Sequence, residues 1–372
     1  MDSLAHDPGY NQLDTFLYLA VAQAITLGLN QENYSAKIQS QPTPYLRQDD
    51  LVHDQASART LEEKRTFLGC YYLTMIYSVC LKDMQPLKFT DYADECCQTL
   101  CNASEFPNDT YGVHLVRTMH LAEKILRANS GQESKSTIII SAPVGLSLRG
   151  YQSEIKALKA SFSCDFPQSA TLDFHYNTLE ILLYRVSLGN DLSDAQYGDY
   201  PVTLLDLLFR CLETTKLFFQ NFYSLPSALF PLLPFTFYCQ FGQAIVTLSR
   251  LSLYQTDKGD WDRDYVQQTL DLDHTVDRLT RKMEEVQLSA SCTSGCSQQK
   301  TDELPEIYGK ISRATKMIKE AHLSRKWAME KAQIQTEQQV FSDFDFMSSV
   351  PIDSFFTIPD FGNLPDAFEG LI

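Results

Sequence analysis

The 372 residues carry 31 Lys and Arg against 47 Asp and Glu, a net charge of −16, which argues against a chain that grips nucleic-acid phosphates by its own field. Hydrophobic residues make up 44% and the mean hydropathy is −0.22, an ordinary soluble composition with enough length for one large domain or two smaller ones. The longest apolar run, Pro226 to Cys239, is broken by Pro231 and Pro234 and is too short to span a bilayer. The first residues lack the basic and apolar stretches of a signal peptide, so the sequence predicts an intracellular chain whose ten cysteines are reduced thiols. The Asn-x-Ser/Thr triplets at Asn33, Asn102 and Asn108 then read as chance matches.

In chain order, Met1 to Gln12 is polar. Leu13, Phe16, Leu17, Ala20, Val21 and Ala24 recur at i, i+3, i+4, i+7 and predict a helix over Leu13 to Asn30, whose small Ala20 and Ala24 admit a close neighbour. A polar loop runs from Tyr34 to Ser57. Thr60 and Glu63 then have capping-box spacing before a run from Leu61. Within it Phe67/Leu68, Tyr71/Tyr72, Met75/Ile76 and Val79/Cys80 are apolar pairs four apart, the pattern of a mostly buried helix ending near Pro86 and a turn at Asp91. Tyr111 to Asn129 reads as amphipathic, and 130–150 as a linker with a short β-branched run. Further helices are expected over Tyr151 to Phe162, Ala170 to Leu188, Val202 to Ser224, Ser227 to Tyr254, Trp261 to Val286 and Ile307 to Gln335. No solenoid repeat is present.

These pieces together resemble the middle regulatory region of fungal zinc-cluster transcription factors. The residues that carry the likeness are Ala20, Ala24, Leu27-Gly28-Leu29, then Glu63, Lys64, Arg65, Tyr71, Tyr72 and Pro86. Leu172, Tyr176, Leu179, Leu183 and Arg185 match a second segment, and Leu248-Ser249-Arg250-Leu251 with Gly259-Asp260-Trp261 a third. Phe67-Leu68 stands where that family often has Trp, and Asp83-Met84-Gln85 replaces its Gly-Arg. The likeness covers Leu13 to Leu288. It implies a nuclear regulator of a pathway or secondary-metabolite gene cluster, with no cofactor and no catalytic group.

The family's zinc module needs two Cys-x2-Cys arms, each with a further Cys beyond it, set among basic residues. Cys96, Cys97, Cys101, Cys292 and Cys296 lack that spacing, so the module is expected to be absent from this chain and DNA to be reached through a partner or a missing N-terminal cluster. His114 and His120 are six apart and predict no metal site. Beyond Lys331 no basic residue occurs, and from Phe341 acids alternate with large rings. Asp343, Phe344, Asp345, Phe346, Phe355, Phe356, Phe361 and Phe368 are the candidate co-activator contacts of an acidic-aromatic activation tail, since the acids keep the rings solvated and available. The alternative is an arm docking its rings on the helical domain.

An all-α enzyme is the competing class. Class I terpenoid synthases hold magnesium through an Asp-rich motif, which Asp49 and Asp50 fit loosely, and a second motif that Asn190-Asp191 begins. Asp194 and Gly198 then stand where that motif needs Ser and Glu. Motifs for nucleotide phosphates and for a serine nucleophile are missing. The expected architecture is all-α: a single large helical regulatory domain over 1–300, a helical extension over 301–340 and a disordered acidic tail over 341–372. Transcription machinery or a co-activator is the expected partner, with a homo- or heterodimer as a further expectation and no membrane.

Overall fold

A computed structural model describes residues 12–32, 59–81, 85–130, 144–165, 168–188, 204–255, 261–293 and 304–335. All of its regular structure is helical, and no strand occurs among the described residues. The helices are α1 (Gln12–Thr26), α2 (Leu61–Leu81), α3 (Asp91–Ala103), α4 (Asp109–Ser130), α5 (Val144–Ala160) and α6 (Gln168–Tyr184), which continues as a 3-10 turn over Arg185–Leu188. Then come α7 (Leu204–Ser224), a 3-10 segment over Ser227–Leu232, α8 (Phe235–Leu253), α9 (Arg263–Thr269), α10 (Leu272–Thr293) and α11 (Leu304–Gln335). The all-α expectation holds.

Local chemistry sets the boundaries. At the start of α2, Glu63 N donates to Thr60 Oγ1 at 3.2 Å and Thr60 N to Glu63 Oε2 at 2.8 Å, a complete capping box. Two expected long helices are each divided. The stretch from Ser227 breaks at Pro234, which has no N–H to give and stands as the N-cap of α8. The stretch after Trp261 breaks at Asp271, whose carboxylate accepts from His274 N at 2.6 Å and so begins α10. α5 starts at Val144, inside the expected linker, because Leu148 and Ile155 both need burial. α3 replaces the simple turn expected at Asp91. Thr90 caps it, and Ala93, Cys96, Cys97 and Leu100 form its buried stripe.

The chain divides into two compact units. The first holds Asn11–Ser78 and Lys82–His120. Here Phe67 stacks on Tyr92 at 5.7 Å, Tyr71 meets Phe89 edge-on at 5.5 Å, and Phe89 stacks on His120 at 3.9 Å. The apolar pairs of α2 are buried as expected, with Phe67, Leu68, Tyr71, Met75 and Ile76 almost wholly enclosed. The second unit holds, among the described residues, Val79–Leu81 and Leu121 to Gln335. Its core is aromatic: Phe218, Phe219 and Phe222 of α7 interleave with Phe237 and Phe241 of α8, Phe174 of α6 and Phe230. Phe222 lies 4.5 Å from Phe241 and 5.4 Å from Phe230, and Phe174 meets Phe237 edge-on at 4.6 Å. Buried Thr178, Thr215, Thr247 and Thr315 return their hydroxyls to the backbone one turn earlier, which satisfies them inside the core. α10 and α11 pair, with Lys319 Nζ 2.9 Å from Asp277 Oδ1.

Candidate functional site

The sequence motifs of the first unit converge on two arginines. α1 ends in a Schellman turn: Gly28 N donates to Ile25 O at 2.9 Å and Leu29 N to Ala24 O at 2.8 Å. Gly28 has φ of 65°, the left-handed conformation that costs other residues most. The carbonyls of Leu27 and Gly28 are then taken by the Arg59 guanidinium at 2.9 and 2.8 Å, while its other nitrogen holds Glu63 at 2.8 Å. The Leu-Gly-Leu motif and the capping box are thus one assembly, joined by a residue that the sequence pattern does not single out. Its only signal is a basic residue just before a helix start.

The second arginine is Arg65. It donates to both oxygens of Asp109 at 2.8 and 2.9 Å and to Glu105 Oε2 at 2.6 Å, and lies 4.5 Å over the ring of Phe106. Asp109 is buried and also accepts from Phe106 N at 3.1 Å. The Arg65 guanidinium holds the Asp109 carboxyl below the usual carboxylate range, and Asp109 in turn raises the arginine.

In the second unit the other two motif segments meet in the same manner. Arg250 donates to Leu188 O at 2.8 Å, closing the 3-10 turn that begins at Arg185, and Trp261 Nε1 donates to Leu251 O at 3.0 Å. Burial, together with the neighbouring Arg250 charge, pushes Arg185 down to about 10. Leu172, Tyr176, Leu179 and Leu183 are buried. Each of these motif positions is therefore an anchor for a helix end or for the core.

A cleft of about 130 Å³ lies between α8, α9, the start of α10 and α11, lined by Ser252, Arg263, Asp264, Asp271, His322 and Lys326 among others. Of the lining residues, His322 places its Nδ1 2.9 Å from the Oγ of buried Ser249. This pair resembles a nucleophile and base but lacks what a nucleophile needs. Ser249 sits mid-helix in α8, where backbone N–H groups are committed to the helix and offer no oxyanion hole. Both residues are buried, and desolvation first, then Lys326, pushes His322 down to about 4, keeping the ring neutral. The contact ties α8 to α11.

Among the described residues, no group of three or more His, Cys, Asp or Glu could hold a metal ion, and no helix is long and apolar enough to cross a membrane. His114 is buried and lowered to about 4 by desolvation and Arg117, whereas His120 stacks on Phe89. Buried Cys97 and Cys211 are each pushed up to about 12 by desolvation and stay thiols. Asp49 and Asp50, the Asn190 to Gly198 segment, and the tail residues Asp343, Phe344, Asp345, Phe346, Phe355, Phe356, Phe361 and Phe368 all lie outside the described residues.

Comparison with known proteins finds similarity to one family model and to several individual proteins. A family model for the ATEG07667 C-terminal domain matches residues 227–364, a stretch that includes the proline-bounded α8, the cleft and α11. Among individual proteins, the chain is similar to the transcription factor opdL of Penicillium oxalicum, 27% identical over 290 residues that cover 76% of this chain and 50% of that protein. A transcription factor of Aspergillus terreus is 28% identical over 225 residues, covering 57% of this chain and 37% of the relative. Transcription factor himD of Aspergillus japonicus is 26% identical over 135 residues, 36% of this chain and 22% of that protein. The chain thus spans about half the length of opdL, and less of the other two. No solved structure matches it.

Proposed function

We propose that this chain is a fungal transcription regulator, acting in the nucleus on a pathway or secondary-metabolite gene cluster. The observation that carries the reading is the similarity to opdL across 76% of the chain. The site geometry agrees with it: the motif arginines, Gly28 and Trp261 build helix junctions, which suits an interaction body better than a reaction centre. In this reading residues 1–300 form the regulatory domain, 301–340 its helical extension, and 341–372 recruit a co-activator or the transcription machinery. With a net charge of −16, promoter contact comes through a partner or through a zinc cluster outside these 372 residues.

The test is a fusion of residues 341–372 to an unrelated DNA-binding domain. It activates a reporter, and replacing Phe344, Phe346, Phe355 and Phe356 by Ala abolishes the activation. Silence of the intact fusion would remove the tail from this mechanism. Magnesium-dependent diphosphate release that vanishes on replacing Asp49 and Asp50 would instead favour the terpenoid-synthase alternative.

A further inference from the structure

α11 is charged against the rest of the molecule. Its 32 residues hold seven Lys and Arg and three Glu, in a chain whose net charge is −16. One face is buried through Tyr308, Ile311, Thr315, Ile318 and His322. The opposite face exposes Met317, Leu323 and Trp327 at 49%, 41% and 59% of their surface. At 3.6 residues per turn these three fall with Arg313, Lys316 and Lys331 on one arc of about 120°. Lys331 Nζ already sits 3.5 Å over the Trp327 ring, so that ring lies in a cationic setting. Among the described residues Arg313 and Lys316 enter no ion pair.

The segment C-terminal to α11 is its complement in charge and in apolar character. Residues 336–372 contain seven Asp and Glu, no Lys or Arg, and seven Phe. Nine residues lead from Gln335 to Phe344, a reach of about 30 Å when extended, whereas Trp327 lies only about 12 Å back along the helix. Met317, about 27 Å back, is within range of Phe355 and Phe356. A tethered segment meets this face at an effective concentration no free acidic peptide matches.

We propose that the outer face of α11 is a docking surface for the chain's own tail, with Phe344/Phe346 and Phe355/Phe356 on the stripe of Trp327, Leu323 and Met317, and the tail carboxylates facing Arg313, Lys316 and Lys331. Docking stands independently of the activation reading. Taken with that reading, it withholds the tail from a co-activator until something displaces it.

Acrylamide quenching of tryptophan in the full chain tests the proposal, because Trp261 is buried and Trp327 dominates the quenchable signal. The chain with Phe344, Phe346, Phe355 and Phe356 changed to Ala is quenched about twofold more than wild type, as expected for a large ring uncovered. The R313E/K316E chain, which leaves Trp327 and Lys331 untouched, shows the same rise at unchanged helicity. Added salt moves the wild type toward both variants. Equal quenching in all three chains overturns docking. Quenching that depends on protein concentration overturns the intramolecular form and assigns the face to the tail of a second copy. Failure of the reporter fusion leaves all these readouts unaffected, so the two ideas fall separately.

Discussion

The two units lean on different contacts, although the first also stacks rings and the second also uses Arg250. In the first, α1, α2, α3 and α4 are fixed at their ends by guanidinium groups: Arg59 on the carbonyls of Leu27 and Gly28, Arg65 on Asp109 and Glu105. In the second, α6, α7, α8 and the Phe230 turn are fixed along their lengths by interleaved rings. Charge-assisted contacts are directional and define where a helix starts and stops. Ring packing is less directional but forfeits most when an atom is removed. Damage at the guanidinium contacts of the first unit should therefore be graded by salt, and damage to the ring core of the second by volume.

The largest expected loss is in the ring core. Phe222→Ala empties a site that touches Phe230, Phe237 and Phe241 and costs about 3–5 kcal/mol. Urea denaturation at low and high salt should give the same loss, since no charge is involved. A salt-dependent loss would end the contrast between the units.

Asp109→Ala comes next, at about 2–4 kcal/mol, because it leaves Arg65 partly buried with only the more exposed Glu62 and Glu105 to pair with. With Asp109 in place, Arg65→Lys should lose much of the same contact, since one ammonium cannot serve both oxygens of Asp109. The comparison is a urea titration of the single and double variants in a mutant cycle, where a coupling near zero would contradict the geometry.

Acid acts on both units through the buried histidines His114 and His322. His114 and His322 are lowered to about 4 in the folded chain, from a usual value of 6.5. The unfolded chain therefore binds more protons between these values. Their contribution is complete above about pH 6.5 and is lost as pH falls toward 4, by up to about 3 kcal/mol each. Denaturation midpoints at pH 7 and pH 5 measure it. Replacing His322 by Gln should flatten the pH response, and an unaltered slope would show that the ring is not kept neutral.

The same divide separates the features that are visible in the residues from those that are not. The wide apolar face of α2 is legible because adjacent apolar pairs repeat every four residues, and burial confirms it at Phe67, Leu68, Met75 and Ile76. The Thr60–Glu63 box is legible because both partners lie in one short motif. α3 is not, since half of its buried stripe is Cys96 and Cys97, residues more readily weighed as ligands than as small apolar side chains. The breaks at Pro234 and Asp271 carry local signals that a continuous apolar pattern outweighs. The role of Arg59 cannot be read at all: its partners Leu27 and Gly28 are 32 and 31 residues away and contribute only backbone carbonyls, which leave no mark on side-chain pattern.

That contact is a second, non-covalent link between α1 and α2. Arg59 and the capped end of α1 stand at the two margins of residues 33–58, so the covalent link between them is duplicated by hydrogen bonds. The end of α1 is thereby addressed to the start of α2 by a guanidinium as well as by the backbone.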